Sequence, residues 1–468
     1  MPCVFSATIS NSALPALLHR LACDYGADLL LCGNLGASAA PQADRCIIGI
    51  GPARELEVTE STSRAELQAF CFKRQADALP GTFGYLSYTY GLSLYGIASE
   101  KPAELPLGLF RRYAVQLILT PQRPLKGFSA DTEEAPQEDT ITAYTLLCHA
   151  ADTPPESVNG MPCATLLRSL EALCTDEASP IPAYAPPLSP AELNRRLRQS
   201  LSEKAYIEGV ERVLEHIRDG DTYQLNLSTR FDVDLSATDF DPLTFFLHMW
   251  QQHPAPFYAW LRHGNKRIIS TSPERFLCVR DGEVLSQPIK GTLAFETYAA
   301  GMEKALVHSA KESAELSMIV DLIRNDIATR CEYGSVQVPA HKATFIVDRL
   351  IQMYSDVRGR LRKDSTCLDL LLDAFPGGSI TGCPKRRTMR IIEKEEPHCR
   401  DLYCGSIVFI EDERNMDSSI AIRTGWYDTE SKALCFFAGS GIVLDSNPAN
   451  EYHETLAKAG KFLRALAS

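Results

Sequence analysis

The chain has 468 residues, 45% of them hydrophobic and 23% charged, which is typical of a globular protein rather than a disordered or fibrous one. Its formal net charge of -12 argues against nucleic acid or an anionic membrane surface as a partner, because both attract basic surfaces. The length suits either several domains or one large enzyme.

The N-terminal residues MPCVFSATISNSALPALLHRLAC lack the basic segment and following apolar segment of a secretory signal. No apolar run reaches about 18 residues, the length needed to cross a bilayer. The 15 cysteines include no CxxC pair, which argues against a zinc ribbon or a thioredoxin-like site. We therefore predict a soluble, cytoplasmic protein with reduced thiols.

Residues 1–175 form the predicted N-terminal region, where short apolar runs end at glycine or proline. The runs DLLLCG (28–33), RCIIGIGP (45–52) and YAVQLILTP (113–121) predict strands. The aromatic, glycine-rich run TFGYLSYTYGLSLYG (82–96) predicts a buried strand and turn rather than a helix. We expect an antiparallel sheet with a few helices and no catalytic group in this region.

A proline-rich stretch, residues 176–200, predicts a linker to the second region, residues 201–468. Ser189, Pro190 and Glu192 indicate a helix start, and apolar spacing predicts a second helix over residues 202–219. TYQLNLSTRFDVDL (222–235) is predicted to be a strand and PLTFFLHMWQQ (242–252) a helix. Because several strands follow one another without helical crossovers, we predict antiparallel pairing and an α+β fold class.

The stretch from residue 285 to 330 carries the first candidate site residues. Lys290 lies in the turn-like segment PIKGT, and Glu312 and Glu315 have an i, i+3 spacing that puts both carboxylates on one face of a predicted helix. A lysine near a pair of carboxylates suggests a catalytic site. The alternative is a surface lysine beside a solvated acidic face.

Two glycine-rich stretches fall short of nucleotide-binding motifs. GGSITGCPK (377–385) has Cys383 where a P-loop needs lysine, and GSGIVLDS (439–446) has Leu444 in place of the third glycine of a dinucleotide fingerprint. We therefore predict no nucleotide cofactor. The first stretch is still a candidate anion site, formed by backbone N–H groups and Thr381 at a helix start, with a purely structural helix entry as the alternative.

A C-terminal helix is predicted to start at Asn447 and Pro448. It would carry Glu451, Glu454 and Lys458 on one face. Together with the carboxylate pair of the first helix, these glutamates suggest an oxygen cage for Mg²⁺, a hard cation that keeps several waters. A solvated helix face is the alternative for this helix taken alone.

Arg423 lies in SSIAIRTGWY (418–427), which predicts a strand with the two isoleucines on one face and the arginine on the other. Its guanidinium matches a carboxylate in shape and charge, although an arginine at a sheet edge is the alternative. Together, Arg423 and the predicted Mg²⁺ cage indicate a pocket for a small substrate that bears carboxylates.

Eight motifs of the second region, in order, resemble the chorismate-utilising enzymes, which include anthranilate synthase component I, aminodeoxychorismate synthase component I, and the isochorismate and salicylate synthases. They are DTYQLNLS, STSPERFL, PIKGT, AELSMIVDLIRNDIATR, FPGGSITGCPKRRTMRIIE, YCGSIVF, SIAIRT and GSGIVLDSNPANEYHETLAKA. The resemblance implies large antiparallel sheets packed as a sandwich with helices outside. Residues 1–150 resemble the N-terminal region of the anthranilate and aminodeoxychorismate members more weakly.

Within the family, PIKGT resembles the aminodeoxychorismate synthases, whose lysine is a nucleophile, whereas anthranilate synthases carry alanine at the position of Lys290. Gln224 stands where the water-adding members have a lysine base. The resemblance therefore implies amination of chorismate at C4, on the route to 4-aminobenzoate and folate. Lys290 would attack C2 while Glu274, as general acid, protonates the leaving C4 hydroxyl, and ammonia would then expel the lysine. A salt bridge to Arg275 or another cation is the alternative role for Glu274.

The resemblance also implies ligands and partners. Glu315 and Glu454 would bind Mg²⁺ directly, and Glu312 and Glu451 through water. Residues matching substrate-binding positions are Thr381, Gly382, Tyr403, Arg423, Gly439, Gly441 and Lys458, with Gln224 as a further candidate. Ammonia would come from a separate glutamine amidotransferase subunit, because the chain has no amidotransferase nucleophile context such as G-x-C-x-G. HPAPFYAWL (253–261) resembles a tryptophan effector segment, and tryptophan binding is left open.

Three departures from the family pattern stand out: Cys383 for alanine, Ser440 for glycine, and Gln352 where anthranilate synthases carry histidine. Loss of that histidine removes one contact to the leaving group. Two alternative functions stay open at this point. One is anthranilate synthase component I, and the other is a catalytically weak subunit that serves as a scaffold for the amidotransferase.

Overall fold

The computed structural model describes residues 3–31, 45–72, 81–122, 143–151, 155–175, 181–253, 255–295, 299, 301–347 and 350–467. Strands before residue 176 are β1 (Cys3–Ser10), β2 (Asp28–Leu31), β3 (Cys46–Val58), β4 (Thr82–Leu86), β5 (Gly108–Gln122), β6 (Ala143–Ala150), β7 (Ser157–Val158) and β8 (Met161–Pro162). The helices among them are α1 (Leu14–Asp24), α2 (Arg64–Phe72), α3 (Tyr88–Leu94) and α4 (Cys163–Thr175).

Later strands are β9 (Leu197–Gln199), β10 (Gln224–Asp234), β11 (Phe257–His263), β12 (Lys266–Ser272), β13 (Arg275–Arg280), β14 (Glu283–Ser286), β15 (Ile289–Ala294), β16 (Gln337–Val347), β17 (Leu350–Arg360), β18 (Gly382–Cys383), β19 (Ser406–Asp412), β20 (Asn415–Ile420), β21 (Thr424–Asp428) and β22 (Ala433–Ile442). Later helices are α5 (Pro190–Arg196), α6 (Glu203–Arg218), α7 (Pro242–Gln252), α8 (Met302–Val307), α9 (Ala310–Ala328), α10 (Cys367–Ala374), α11 (Lys385–Glu395) and α12 (Pro448–Leu466).

Helix starts after residue 176 follow local capping chemistry, as predicted for α5 and α12. Ser189 and Glu192 form a reciprocal capping box at α5, and Ser202 accepts a hydrogen bond from the backbone N–H of Ala205 at α6. At α12 the Asn447 side chain accepts from the N–H groups of Ala449 and Asn450. Each cap satisfies backbone donors that the helix itself leaves unpaired.

The run TFGYLSYTYGLSLYG corrects the sequence prediction, because its second half is the helix α3 rather than a turn. Ser87 ends strand β4 and caps the helix by accepting a hydrogen bond from the N–H of Tyr90. The helix buries Tyr88, Tyr90, Gly91 and Leu92, so it is enclosed on more than one side. The strand propensity of the aromatic residues loses here to a local cap and to burial.

Antiparallel pairing joins twenty of the described strands, from both regions, into one large sheet, while β7 and β8 pair separately. Starting at the second-region strands β17, β14, β13, β20 and β19, the hydrogen-bonded path crosses to β4, β5, β3 and β2 of the first region. It then returns through β11, β12, β21, β22 and β10. First-region strands thus connect the two halves of the second region, and the predicted α+β class with antiparallel sheets is confirmed.

Two large apolar clusters form the core, and both contain residues from the two regions. In one, Tyr85 and Phe110 share the cluster with Ile407. In the other, Leu29 shares the cluster with Trp260. Within the described part of the chain, no helix combines the length and the apolar character needed to span a bilayer.

Candidate active site

A cavity of about 650 Å³ gathers most of the side chains that the sequence singled out. Its size suits a small organic substrate. It is bounded by β10, β15, β17 and β22, by helices α9 and α12, and by a short 3₁₀ turn at Gly378–Ile380. The polar side chains that line it are Asn226, Glu274, Lys290, Glu312, Glu315, Gln352, Ser379, Tyr403, Arg423, Glu451, Glu454 and Lys458.

Lys290 enters the cavity from strand β15 rather than from a turn, which corrects the expectation for this stretch. It lies opposite Met353 of β17, and the register of the pair shifts at Gly291, whose φ of +78° suits glycine. A Cβ added to Gly291 would lie 3.2 Å from Glu312 Oε2. Lys290 Nζ lies 3.8 Å from the position of a Cβ added to Gly441, so the lysine reaches toward β22.

Glu274 lies in the connection between β12 and β13, with only 8% of its surface exposed. Burial raises the pKa of its carboxyl above the ordinary value, although Lys290 and a hydrogen bond from Ser379 oppose that rise. The Ser379 hydroxyl donates to Glu274 Oε1 at 2.9 Å. The neighbouring Arg275 pairs with Asp417 at 3.0 Å. A buried carboxyl with a raised pKa has the property expected of a general acid.

The predicted carboxylate pairs line the same cavity from two helices. Glu312 and Glu315 lie in the first turns of α9, and Glu451 and Glu454 in the first turns of α12. Glu451 is buried and accepts a hydrogen bond from Ser446 at 2.6 Å. Both pairs of glutamates therefore line one cavity, although more than 130 residues separate the pairs in the sequence.

These carboxylates offer the hard oxygen donors that Mg²⁺ prefers. No three of the four have oxygen atoms that all lie within 4.8 Å of one another; in the described residues that spacing occurs for Glu55, Glu57 and His263, outside the cavity. Mg²⁺ in proteins commonly binds one or two carboxylates directly and keeps water in its other positions, so it does not require three clustered carboxylates. The donor set is therefore compatible with a hydrated Mg²⁺.

Arg423 lines the cavity from the connection between β20 and β21, not from a continuous strand as predicted. Its φ of +50° is in the left-handed region, and its carbonyl accepts a hydrogen bond from the N–H of Thr271. On the other side, Lys458 pairs with Glu454 at 2.8 Å and donates to the Gly439 carbonyl at 3.1 Å. Cations thus face the cavity from two separate elements.

Tyr403, a predicted substrate-binding residue, lines the cavity and stacks on Phe437, with ring centroids 5.1 Å apart. Behind it, the buried Arg400 lies 4.7 Å from the centroid of Tyr88 and 6.0 Å from that of Tyr403. The same guanidinium pairs with the buried Glu396 at 2.7 Å. This arrangement fixes the aromatic wall of the cavity from behind.

Three predicted substrate residues do not line the cavity. Thr381 is 1% exposed, and its hydroxyl donates to the Gly377 carbonyl at 2.9 Å. Gly382 and Gln224 belong to the paired strands β18 and β10, and a Cβ added to Gly382 would lie 2.0 Å from the Gln224 carbonyl oxygen. Close backbone contact explains the glycine, and these residues lie behind the cavity wall.

Comparison with known proteins agrees with this geometry. The family model for chorismate binding enzymes matches residues 36–464. The chain belongs to that family.

Relatives of the family carry two different names. Aminodeoxychorismate synthase component 1 of Klebsiella aerogenes is 39% identical over 292 residues, 61% of this chain and 62% of that protein. The chain therefore matches about three fifths of that relative's length. Anthranilate synthase component 1 of Geobacillus stearothermophilus is 31% identical over 431 residues, 88% of this chain and 80% of that protein.

A solved family member shares the fold. The crystal structure of anthranilate synthase component I from Streptococcus pneumoniae TIGR4 superposes with a TM-score of 0.69 at 25% identity, covering 90% of this chain and 92% of that one. The likeness extends over both regions of the chain, which agrees with the continuous sheet described above.

Sequence reasoning missed two polar lining residues, Ser379 and Asn226. Ser379 stands inside the glycine-rich motif GGSITG, yet its partner Glu274 is 105 positions away and no local pattern links them. Asn226 alternates with buried residues along β10, and that alternation was the available signal. Gln352, which the sequence marked as a departure within the family, does line the cavity.

The segment HPAPFYAWL borders a second, separate cavity. Phe257 lines it together with Leu30 and Leu31, and its volume is about 30 Å³. That volume holds about two water molecules and is too small for an indole ring.

Proposed function

We propose that this chain is an aminodeoxychorismate synthase component I, which converts chorismate and ammonia to 4-amino-4-deoxychorismate and water. One observation carries the proposal: Lys290 and the buried acid Glu274 line one cavity together with four carboxylates. A primary amine beside a carboxyl group with a raised pKa suits displacement of a hydroxyl group. The name of the Klebsiella aerogenes relative supports the same reaction.

The first step forms a covalent intermediate. The unprotonated Lys290 amine attacks C2 of chorismate, the ring double bonds shift, and the C4 oxygen leaves as water after taking the proton of Glu274. The raised pKa of Glu274 supports its role as the donor, because a carboxyl group must hold a proton before it can give one away. Ammonia then attacks C4, and Lys290 leaves C2 as an amine.

Substrate carboxylates would be bound by the cations of the cavity. Arg423 and Lys458 line the cavity from separate elements, and Gly439 and Gly441 line it from β22. A guanidinium binds a carboxylate with two parallel hydrogen bonds, and an ammonium adds a point charge. Tyr403 would pack against the substrate from the aromatic side.

Mg²⁺ would be held by Glu315 and Glu454 directly and by Glu312 and Glu451 through water. When bound, the ion supplies a positive charge that neutralises a substrate carboxylate near these four glutamates. The chain's own residues then have separate roles. The glutamates hold the ion, the two cations orient the carboxylates, and Glu274 handles the proton.

Ammonia would come from a separate glutamine amidotransferase subunit, and the product would enter the 4-aminobenzoate and folate pathway. The sequence supports the separate subunit through its lack of an amidotransferase nucleophile motif such as G-x-C-x-G. Free ammonium salt at alkaline pH should replace the partner in vitro.

Anthranilate synthase component I is the second candidate, because the Geobacillus stearothermophilus relative of that name aligns over 88% of this chain. A catalytically weak scaffold subunit is the third. The presence of Lys290 in the cavity favours the first candidate over both, since an anthranilate synthase has alanine at that position.

The test is to incubate the purified chain with chorismate, MgCl₂ and ammonium chloride and to identify the product by mass spectrometry and fluorescence. We expect a non-fluorescent product with the mass of 4-amino-4-deoxychorismate, which an added lyase converts to 4-aminobenzoate. Direct formation of fluorescent anthranilate without lyase would refute the proposal. Unchanged chorismate, with the amidotransferase partner also present, would favour the scaffold alternative.

A further inference from the structure

Ser379 is the polar side chain closest to the buried acid in the described hydrogen-bond network. It lies in the middle of the 3₁₀ turn Gly378–Ile380 and lines the cavity. Its hydroxyl donates to Glu274 Oε1 at 2.9 Å. The hydrogen bond therefore joins the glycine-rich motif to the carboxyl group that the proposed function uses as its acid.

The turn that carries Ser379 is held from several sides. Below it, the Thr381 hydroxyl donates to the Gly377 carbonyl at 2.9 Å, and the buried Arg400 guanidinium donates to the Ile380 carbonyl at 3.1 Å. Leu322 of α9 packs so tightly that a Cβ added to Gly378 would lie 2.3 Å from its Cδ2. Because the backbone of the turn is constrained, the Cβ of Ser379 has a fixed position, and the hydrogen bond to Glu274 sets the direction of its hydroxyl.

The peptide of Glu274 is fixed as well. Its N–H donates to the Ser272 hydroxyl at 3.2 Å, and its carbonyl accepts from the N–H of Ile420 at 3.0 Å. Side-chain rotation is then the main freedom left to the carboxyl group. A donor at Oε1 selects one rotamer, in which Oε2 is the oxygen available to carry the proton.

We propose that Ser379 is a positioning residue that orients the Glu274 carboxyl group so that Oε2 delivers the proton to the departing C4 hydroxyl. The inference rests on the proposed function. During the step, the Oε2–H bond breaks, a new O–H bond forms on the C4 oxygen, and that oxygen leaves as water. The electron pair of the broken bond stays on the carboxylate, which the Ser379 hydroxyl stabilises through Oε1.

Several charged and titratable groups face Glu274 and must be considered with Ser379. Lys290 approaches from β15, Lys458 from α12 and Arg423 from the connection between β20 and β21, and all three favour the ionised carboxylate. The buried thiol of Cys404 lies within the same electrostatic environment. Removal of the serine hydroxyl leaves these groups in place and deletes one neutral donor.

The test compares Ser379→Ala, Ser379→Thr and Ser406→Ala under steady-state kinetics across pH. We expect Ser379→Ala to lower kcat about 10-fold with little change in KM, because the acid loses its orientation while the substrate contacts stay intact. Loss of a donor to the carboxylate should also shift the alkaline limb of the kcat profile to higher pH. Ser379→Thr keeps the hydroxyl and should retain kcat within about threefold.

Ser406→Ala is the matched control, since Ser406 is fully buried and donates to the Ser419 carbonyl at 2.9 Å outside the cavity. It should leave kcat and the pH profile unchanged. Wild-type kcat and an unmoved alkaline limb in Ser379→Ala would overturn the inference. Equal losses in the alanine and threonine variants, with no shift of the limb, would overturn it too.

The wild-type product is identified first, so that the two proposals fail in different ways. If the wild type makes anthranilate or consumes no chorismate, the proposed function is wrong. If it makes 4-amino-4-deoxychorismate and Ser379→Ala behaves like the wild type, the function holds and only the role of Ser379 is wrong.

Discussion

The two polar walls of the cavity differ in how firmly their groups are held. One, which we call the acid wall, consists of Glu274, Ser379 and Tyr403. Glu274 and Tyr403 are 8% and 3% exposed, and each has a defined partner, in Ser379 and Phe437 respectively. This wall is built from strand connections and a constrained turn.

The other, which we call the carboxylate wall, consists of Glu312, Glu315, Glu451, Glu454 and Lys458 on two helices. Here Glu454 and Lys458 are 51% and 40% exposed, and they pair with each other at 2.8 Å. The carboxylates repel one another, and Lys458 offsets part of that repulsion through its ion pair with Glu454.

The difference teaches how the cavity divides its work. A proton donor needs a fixed geometry and a dry environment before the substrate arrives, and the acid wall provides both. A metal and substrate site needs ligands that exchange water, and the half-exposed Glu454 of the carboxylate wall is such a ligand, whereas Glu451 is buried. Lys290 belongs to neither wall, because it extends from β15 toward Gly441 on the opposite side.

The largest expected effect is the loss of activity when Lys290, which belongs to neither wall, is replaced. Lys290→Ala should lower formation of 4-amino-4-deoxychorismate by about 10³-fold or more, because no other described amine reaches across to Gly441. Lys290→Arg should be equally inactive, since a guanidinium is not a nucleophile. Mass spectrometry of the wild type with chorismate alone should show an adduct of chorismate minus water that both variants lack.

The control for these variants is Lys204→Ala, which removes a lysine that is 87% exposed on α6, outside the cavity. It should keep full activity. Thermal unfolding should be nearly the same for all three variants and the wild type. Wild-type turnover in Lys290→Ala would show that the walls suffice and that no covalent step exists.

A second prediction sharpens the account of the carboxylate wall. Glu315→Gln and Glu454→Gln should each lower activity at saturating chorismate by about 100-fold and raise the Mg²⁺ concentration for half activation, because each removes a proposed direct ligand. Mg²⁺ should raise the Tm of the wild type and leave unchanged the Tm of a variant that carries both Glu315→Gln and Glu454→Gln. The readouts are metal titrations of activity and of thermal unfolding.

Glu208→Gln provides the control, because Glu208 and Lys204 form an exposed i, i+4 pair on α6 like that of Glu454 and Lys458. We expect normal Mg²⁺ dependence for this variant. If the cavity variants keep wild-type Mg²⁺ dependence, the carboxylate wall is a solvated helix face and not a metal site.

How much of this was predictable from sequence depends on whether the signal is local. The starts of α6 and α12 follow from Ser202 and Asn447, because a cap acts within about three residues. Helix α3 was missed since its cap, Ser87, stands inside an aromatic run that resembles a strand. The capping serine is a local signal for a helix, but the aromatic residues around it favour a strand prediction.

Long-range contacts set the features that sequence reasoning described wrongly or not at all. Lys290 was assigned to a turn because its pairing with β17 depends on a strand more than 50 residues away. Arg423 was assigned to a continuous strand, yet Thr271 holds its backbone in the left-handed region. Glu274 and Ser379 meet only through the fold, so the residue types were visible while their contact was not.

A third prediction separates two glycines of β22 that the family resemblance treats alike. Gly441→Ala should fold normally, because its Cβ would meet Lys290 Nζ at an ordinary 3.8 Å, but the methyl group enters the cavity and should raise the KM for chorismate about 10-fold. Gly439→Ala should instead lower the free energy of unfolding by about 1–3 kcal/mol, because its Cβ would lie 2.5 Å from the Leu227 carbonyl oxygen.

Steady-state kinetics and denaturant unfolding distinguish the two glycine variants. A wild-type KM for Gly441→Ala would remove β22 from the substrate site. Normal stability for Gly439→Ala would mean that the strand β10 can move away from β22, so that this side of the cavity is less rigid than the acid wall.

The smallest expected effect concerns the free energy of unfolding, which the buried Glu274 of the acid wall makes dependent on pH. The pKa of Glu274 is raised in the fold from its ordinary 4.5, so above that pH the unfolded chain releases the proton more readily than the folded chain does. The free energy of unfolding therefore falls as pH rises above 4.5, up to the raised pKa. Below this window the carboxyl group is protonated in both states and has no such effect.

Glutamine has no proton to lose, so Glu274→Gln should be inactive yet gain stability relative to the wild type as pH rises. We expect the Tm difference to grow by about 1 °C between pH 4 and pH 8, measured by calorimetry. Glu66→Gln is the opposite control, because hydrogen bonds from Ser63 lower the pKa of Glu66 below its ordinary 4.5, so in scans extended below pH 4 that variant should lose stability relative to the wild type as pH rises toward 4.5 and change little above it. A Tm difference for Glu274→Gln that does not change with pH would mean that the buried acid carries no electrostatic cost, and the acid wall would then be no more preorganised than the carboxylate wall.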